Sequence, residues 1–424
     1  MSAEYAFNAA PPCSPLMSRP HLLFLSHCLP YPPDSGVTIR TLNVLKQLQK
    51  EFDVTVLMFS RRNHQPDRGG RERAWRTLQG MGFDAFEPVP IASERSRARM
   101  IWDQARSVIT GRAYTFYQYQ STAFQRQLRA ALSQRRPAVI HVDSIDLHGA
   151  LGDLPSRPLA CTHHDIESHA LRQRAARATG AVLRTYIRHQ AALVEHTERA
   201  LCPTFAANLV MSELDGQRLT AIAPDAKVVV APNGVDTSFF TPSRNGAAPT
   251  GRVLFVGHTS FQPNRDAVEF FLTSIWPQVR ARQPGATFHL IGRGTRADRA
   301  SVAAHPAVTP HDYVPDIRPH FAEADCSVVP IRFGGGTRIK ILDAWAMGIA
   351  VVSTSVGCEG LRAVDGENIL VRDTPAAFAD GVTEILTNAE LRSRLGENGR
   401  RTVEEFYSWD RVGAGIRELY FQLI

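Results

Sequence analysis

The chain has 424 residues, a length that fits two or three domains at roughly 100–200 residues each. Apolar residues make up 44% and charged residues 21%, which excludes a disordered chain and a long coiled coil. The net charge of +7 is mild, and no basic stripe interleaved with aromatics marks a nucleic-acid partner.

Residues 1–20 read as a disordered tail. His21–Cys28 is an apolar run suited to a buried strand, and the Pro/Gly-rich Pro30–Gly36 turns the chain. Val37–Lys50 sets Ile39, Leu42, Val44, Leu45 and Leu48 at helical spacing, and Asp53–Phe59 is the next strand. Strand, helix, strand in this order is a parallel βαβ unit. Ala138–Val142, Leu159–His164, Leu201–Thr204 and Lys227–Ala231 read as further strands, Glu167–Ala200 as Arg-rich helix and Phe205–Ala223 as helix. Thr241–Gly251, with its Pro, Gly, Ser and Asn, reads as a linker. The pattern then restarts: strands at Arg252–Gly257, Thr287–Ile291, Cys326–Ile331, Ala350–Thr354 and Asn368–Val371, helices at Asp266–Arg282 and Thr337–Met347. Trp409–Leu423 is a closing amphipathic helix. The expected architecture is α/β, two doubly wound Rossmann-like parallel-sheet domains (21–240 and 252–406) facing a cleft, with 241–251 between them and 407–424 after them. Ligands bind such sheets at the carboxyl ends of the strands.

Charge is divided unevenly. Residues 1–250 hold 29 Lys and Arg against 21 acids, and residues 251–424 hold 19 against 20. A basic first half suits an anionic partner, lipid or phosphate. The six cysteines (13, 28, 161, 202, 326 and 358) form no CxxC pair, so a reduced, cytoplasmic protein is expected. No apolar stretch reaches the ~18 residues of a membrane span.

The densest chemistry lies at Phe333-Gly334-Gly335-Gly336-Thr337-Arg338-Ile339-Lys340, between a predicted strand and helix. Glycines admit close approach of a ligand to backbone N–H groups, and the helix start adds partial positive charge. With the cations of Arg338 and Lys340 this is an anion site suited to a diphosphate. Asp343 lies nearly two turns on, placed to accept vicinal hydroxyls as an acid does for ribose. Gly257 and Gly292 end two other strands, Arg265 is a further phosphate candidate, and Gly36 stands at the first helix start. In the first half, His163, His164 and Asp165 end a strand, with His141 and Asp143 ending another. Adjacent histidines on a strand face opposite sides, so a shared metal ion is not expected; one of them is expected to face the cleft.

On these residues the chain resembles the GT-B glycosyltransferases of family 4, retaining nucleotide-sugar transferases, over about residues 21–424. The marks are Ser35-Gly36, Ala231-Pro232-Asn233-Gly234-Val235-Asp236, Phe255-Val256-Gly257, Gly334 to Asp343 with Ala346-Met347-Gly348, and Gly357, Gly360 and Gly366. Pro263-Asn264 with Asp266-Ala267-Val268 resembles an exopolysaccharide and envelope subgroup. The resemblance implies that the second half binds the nucleotide sugar and the first half a hydroxyl acceptor, lipid-linked or a polysaccharide intermediate. It implies no cofactor, the nucleotide sugar being a co-substrate, and with no D-x-D motif in the chain no metal is expected; the Arg-rich segments Arg95–Arg112 and Arg172–Arg188 suit a cytoplasmic protein peripheral at the inner face of an anionic membrane. Catalytic roles would fall to His164, Arg338 and Lys340. Gly36, Gly257, Arg265, Gly292, Gly334, Gly335, Gly336, Thr337 and Asp343 would bind the donor. His141, His163 and Asp165 would lie on the acceptor side, and the last helix would cross back onto the first half. Two glutamates are usual in that family where this chain has Gly335 and Asp343, and His258 stands where an Arg is usual. A non-catalytic nucleotide-sugar-binding scaffold and a nucleotide-sugar epimerase or hydrolase are alternatives on the same scaffold.

Overall fold

Apolar runs without alternation become central parallel strands, because helices cover both faces of the sheet. In β1 (His21–Ser26) every side chain after His21 is buried. It pairs in parallel with β2 (Asp53–Ser60) and β5 (Val139–Val142). The coordinates are a computed structural model that describes residues 19–65, 67–152, 154, 157–242, 250–335 and 338–424. The expected tail and most of the expected linker therefore lie outside the described residues.

The first sheet also holds β3 (Asp84–Ala85), β4 (Val89–Pro90), β6 (Leu159–His163), β7 (Ala207–Val210) and β8 (Val228–Val230). Its order is β3-β2-β1-β5-β6-β7-β8, with β4 beside β2. The second sheet is built from β9 (Arg252–Val256), β10 (Thr287–Ile291), β11 (Val308–His311), β12 (Cys326–Val329), β13 (Ala350–Ser353) and β14 (Leu370–Val371), in the order β11-β10-β9-β12-β13-β14. In both, the chain runs to one edge and then returns past its first strand. That reversal opens a crevice at the carboxyl strand ends.

Three expectations are corrected. Leu201–Thr204 is not a strand: Cys202–Thr204 is a short 3-10 turn around Pro203. The strand is Ala207–Val210, inside the stretch expected to be helical, and the helix is only Glu213–Ile222. Ser212 caps it, its Oγ accepting from the Asp215 N–H at 3.1 Å, so the chain cannot be helical before that point. The helix expected at Asp266–Arg282 starts at Gln262 and widens into a π turn at Phe271–Ile275. Pro277 lies just beyond, lacks an N–H and crowds the preceding turn, which accounts for the widening.

The last helix, Trp409–Leu423, leaves the second domain and buries Trp409, Val412, Ile416 and Tyr420 in the core of the first. Each such side chain contributes about 1.5–3 kcal/mol. The Tyr420 hydroxyl is hydrogen-bonded to His141 Nδ1. No helix among the described residues is long and apolar enough to cross a membrane.

Candidate active site

The glycine-rich loop leaves β12 and ends at the helix Ile339–Ala346. Gly334 has φ +108°, a conformation that favours glycine. Arg338 is buried and folds back on its own loop, its guanidinium donating to the carbonyls of Gly334 and Gly335. Its Nε is buried with no partner among the described residues. Lys340 donates to Asn264 Oδ1 at 2.7 Å and sits 4.5 Å from the centre of the Phe255 ring. Burial, with the neighbouring Arg338 charge, lowers its pKa to about 7. Asp343 lies buried one helical turn on, and burial pushes its carboxyl up to about 7. Gly336 and Thr337 lie outside the described residues.

On the opposite wall, the ends of β1, β5 and β6 converge on Asp143. Its carboxylate accepts from Thr41 Oγ1 at 2.7 Å and Ser26 Oγ at 3.2 Å. His27, His141 and His164 each place a ring nitrogen 3.4–3.6 Å from it. Burial alone would raise this carboxyl; the attraction of His164 and the histidine hydrogen bonds hold it well below the carboxylate range. His164 also donates from Nε2 to the Asp143 carbonyl at 2.8 Å, which fixes its ring at the cleft surface.

Between the walls lies a cavity of about 560 Å³, within the usual range for small-ligand sites. Gly36, His164, Asp165 and Gly335 line it, together with His27, Arg61 and His64. The capping box of the first helix places Gly36 there: Ser35 Oγ accepts from the Thr38 N–H, and Thr38 Oγ1 from the Ser35 N–H. Contacts across the cleft hold the domains together. Arg293 Nη1 donates to Asp34 Oδ2 at 2.7 Å. His258 Nδ1 accepts from the Arg293 N–H, which leaves Nε2 to donate to the Asp34 carbonyl at 2.7 Å. Burial would raise Asp34, but His64 and Arg293 hold it below the usual range. Gln173 Oε1 accepts from the Gly334 N–H at 3.3 Å, and Arg177 lies over the Phe333 ring.

Several expected site residues fall elsewhere. His141 is fully buried, stacked on Phe24 beneath the cleft. His163 points to the other face of the sheet, bonded to Asn208 Oδ1 at 3.0 Å. Both are core residues rather than cleft residues; alternation along the strand sends His163 to the face opposite its neighbours Thr162 and His164. Arg265 turns to the Thr259 carbonyl at 3.1 Å and does not line the cavity. Gly257 and Gly292 pack against each other: a Cβ on Gly292, whose φ is +146°, would overlap the Gly257 carbonyl. Arg338, Lys340 and Asp343 stand behind the cavity wall, Lys340 through Asn264, which lines it. The sequence reading missed His27, Arg61 and His64. Only the β1 strand end could have flagged His27.

Among the described residues, His27, Cys28 and Asp143 place possible metal ligands within 4.8 Å of one another. Burial pushes the Cys28 thiol up to about 12, against the thiolate a metal requires, and Asp143 is already engaged as described. The group reads as a hydrogen-bonded wall.

Two family models match the chain: Glycosyltransferase Family 4 over residues 35–239, and Glycosyl transferases group 1 over residues 250–388. An uncharacterised glycosyltransferase of Methanocaldococcus jannaschii is 34% identical over 98 residues, 23% of this chain and 27% of that protein. A GDP-mannose-dependent alpha-(1-6)-phosphatidylinositol monomannoside mannosyltransferase of Mycobacterium tuberculosis is 26% identical over 241 residues, 51% of this chain and 61% of that protein. The match thus spans less than two thirds of either relative. Among solved structures, sucrose-phosphate synthase of Thermosynechococcus elongatus superposes with a TM-score of 0.68 at 16% identity, covering 95% of this chain and 99% of that one. HepE of Anabaena, solved with UDP and glucose, gives 0.66 at 12% identity over 95% and 100%. At these identities the likeness is one of fold.

Proposed function

As a member of the GT-B, family 4-like glycosyltransferases, the chain is one for which we propose transfer of a sugar from a nucleotide diphosphate sugar to a hydroxyl acceptor, with retained configuration and without a divalent metal. The observation that carries this is the interdomain cavity. One wall carries Gly335 of the glycine-rich loop, with Arg338 and the helix start behind it, and the other is His164 and Asp165. When the bond from the sugar to the diphosphate breaks, negative charge grows on the departing oxygen. Arg338 and the first amides of the helix Ile339–Ala346 supply fixed positive potential for it, joined by Lys340 when it is protonated, and such preorganised charge lowers the barrier. In this reading the acceptor hydroxyl attacks from the leaving-group face and its proton goes to the departing phosphate oxygen, so no protein base is assigned. The contacts of Asp34 with Arg293 and His258 close the cleft against water.

A membrane-borne acceptor fits an exposed surface of the first domain. In the helix Arg97–Thr110, polar Asp103 and Ser107 face inward, whereas Ile101, Trp102, Val108 and Ile109 are all more than half exposed. This apolar stripe faces outward, and residues 95–112 carry five arginines against one acid. The helix Ala181–Leu201 is joined to it through Gln190 and Ser107, and starts with Val182 86% exposed. An outward apolar stripe flanked by arginines suits the interface of an anionic bilayer.

The test of the donor reading is calorimetry with UDP, UDP-glucose, GDP and GDP-mannose, followed by mass spectrometry of products with lipid-linked acceptors. Saturable binding of one pair is expected. Failure of all four to bind would reject it.

A further inference from the structure

Gly335 has an ordinary φ, so the backbone does not call for glycine there. The neighbour does: a Cβ at Gly335 would overlap Asp165 Oδ1 and stand 3.0 Å from its Cγ. A carboxylate from the first domain therefore fills the space in which a side chain of the second domain's loop would begin. Resting on the donor-site reading above, we propose that Asp165 is the acceptor that holds hydroxyls of the donor sugar, and that Gly335 is glycine to admit it.

The chemistry of the cavity supports this assignment. Arg61, His64, His258 and Arg293 line it mainly as donors, and the lining carboxylate of Asp34 is engaged by Arg293 and His64. An ionised carboxylate only accepts, so it matches sugar hydroxyls and repels a diphosphate. Asp165 and the Arg338 charge thus give the site a polarity, phosphates toward the cation and hydroxyls toward the acid. Burial pushes the Asp165 carboxyl up to about 6 against the pull of Arg338, which leaves it mostly ionised near pH 7.5. The contact also spans the cleft, because Asp165 follows β6 and Gly335 follows β12. The hydroxyl anchor is complete only when the domains are closed, so sugar binding and closure favour each other.

Asp165→Ala, Gly335→Ala and the relocation variant Asp165→Gly/Gly335→Glu separate the possibilities. Calorimetry measures each with UDP, UDP-glucose, GDP and GDP-mannose, using the pair the wild-type protein binds. Loss of one charge-assisted hydrogen bond weakens binding by roughly 10- to 100-fold. Asp165→Ala should therefore lose that much affinity for the nucleotide sugar and bind the nucleoside diphosphate unchanged or tighter. Gly335→Ala, which pushes the carboxylate aside without removing it, should show the same split, and the relocation variant should regain part of the preference for the sugar-bearing ligand. Retained diphosphate binding shows that each variant is folded. Equal weakening of both ligands by Asp165→Ala, or no change in either, would overturn the assignment of Asp165 alone. Absence of wild-type binding to all four would overturn the donor reading on which it rests.

Discussion

Asp343 gives the sharpest quantitative expectation. Its carboxyl is buried beneath the glycine-rich loop, and burial moves it from 3.8 to about 7. Below pH ~4 the carboxyl is neutral in both the folded and unfolded chain, so it costs nothing. Between pH ~4 and ~7 the unfolded chain releases the proton and the folded one keeps it, so stability falls as pH rises; above ~7 the loss is complete. Three pH units at ~1.4 kcal/mol each give about 4 kcal/mol. Asp343→Asn removes the titration while nearly keeping the shape. Urea unfolding of the two proteins from pH 4 to 8.5 should show similar stability at pH 4 and a variant more stable by up to about 4 kcal/mol at pH 8. A difference that does not change with pH, or a variant less stable at pH 8, would refute the burial reasoning. Under the donor reading, Asp343 would accept hydroxyls of a bound ribose, which would stabilise its ionised form. Calorimetry in buffers of different ionisation enthalpy should therefore show proton release on nucleotide binding near pH 7, absent in Asp343→Asn.

Arg338→Ala should lower transfer by ~10²-fold or more and weaken nucleoside diphosphate binding in parallel; unchanged turnover would remove the phosphate site from this loop. Arg293→Ala breaks the pair with Asp34. Because Arg293 is nearly half exposed, global stability should change by no more than about 1 kcal/mol, while KM for the donor rises and small-angle scattering reports a more open particle. Trp102→Ser with Ile109→Glu should abolish sedimentation with phosphatidylglycerol vesicles and leave nucleotide binding intact; vesicle binding equal to wild type would dismiss that surface.

The repeated βαβ units, the glycine-rich turn before Arg338 and the closing helix Trp409–Leu423 were legible in the sequence, because periodicity and turn chemistry are local properties of the chain. Local signals failed where they competed. Ala207–Val210 is short, and apolar residues on both sides made it blend into a helical pattern until the Ser212 cap is recognised. The pair of histidines 163 and 164 announced a site, and alternation shows that only one can face the cleft, but which one depends on the strand's orientation in the sheet. His164 faces the cleft, its ring held by the Asp143 carbonyl, while His163 turns to Asn208 on the other side of the sheet.

What the sequence determined alone is the inventory: two doubly wound halves, a cationic loop at a helix start and a polar strand end opposite. Only the tertiary structure decided which members meet. Asp143 gathers Ser26, Thr41 and three histidines, and Asp34 reaches Arg293 across 259 positions of chain. Asp165 comes to rest where Gly335 has no side chain. Such meetings follow from strand order and domain closure, which are set by the burial of whole faces and leave no mark in the residues immediately around each partner.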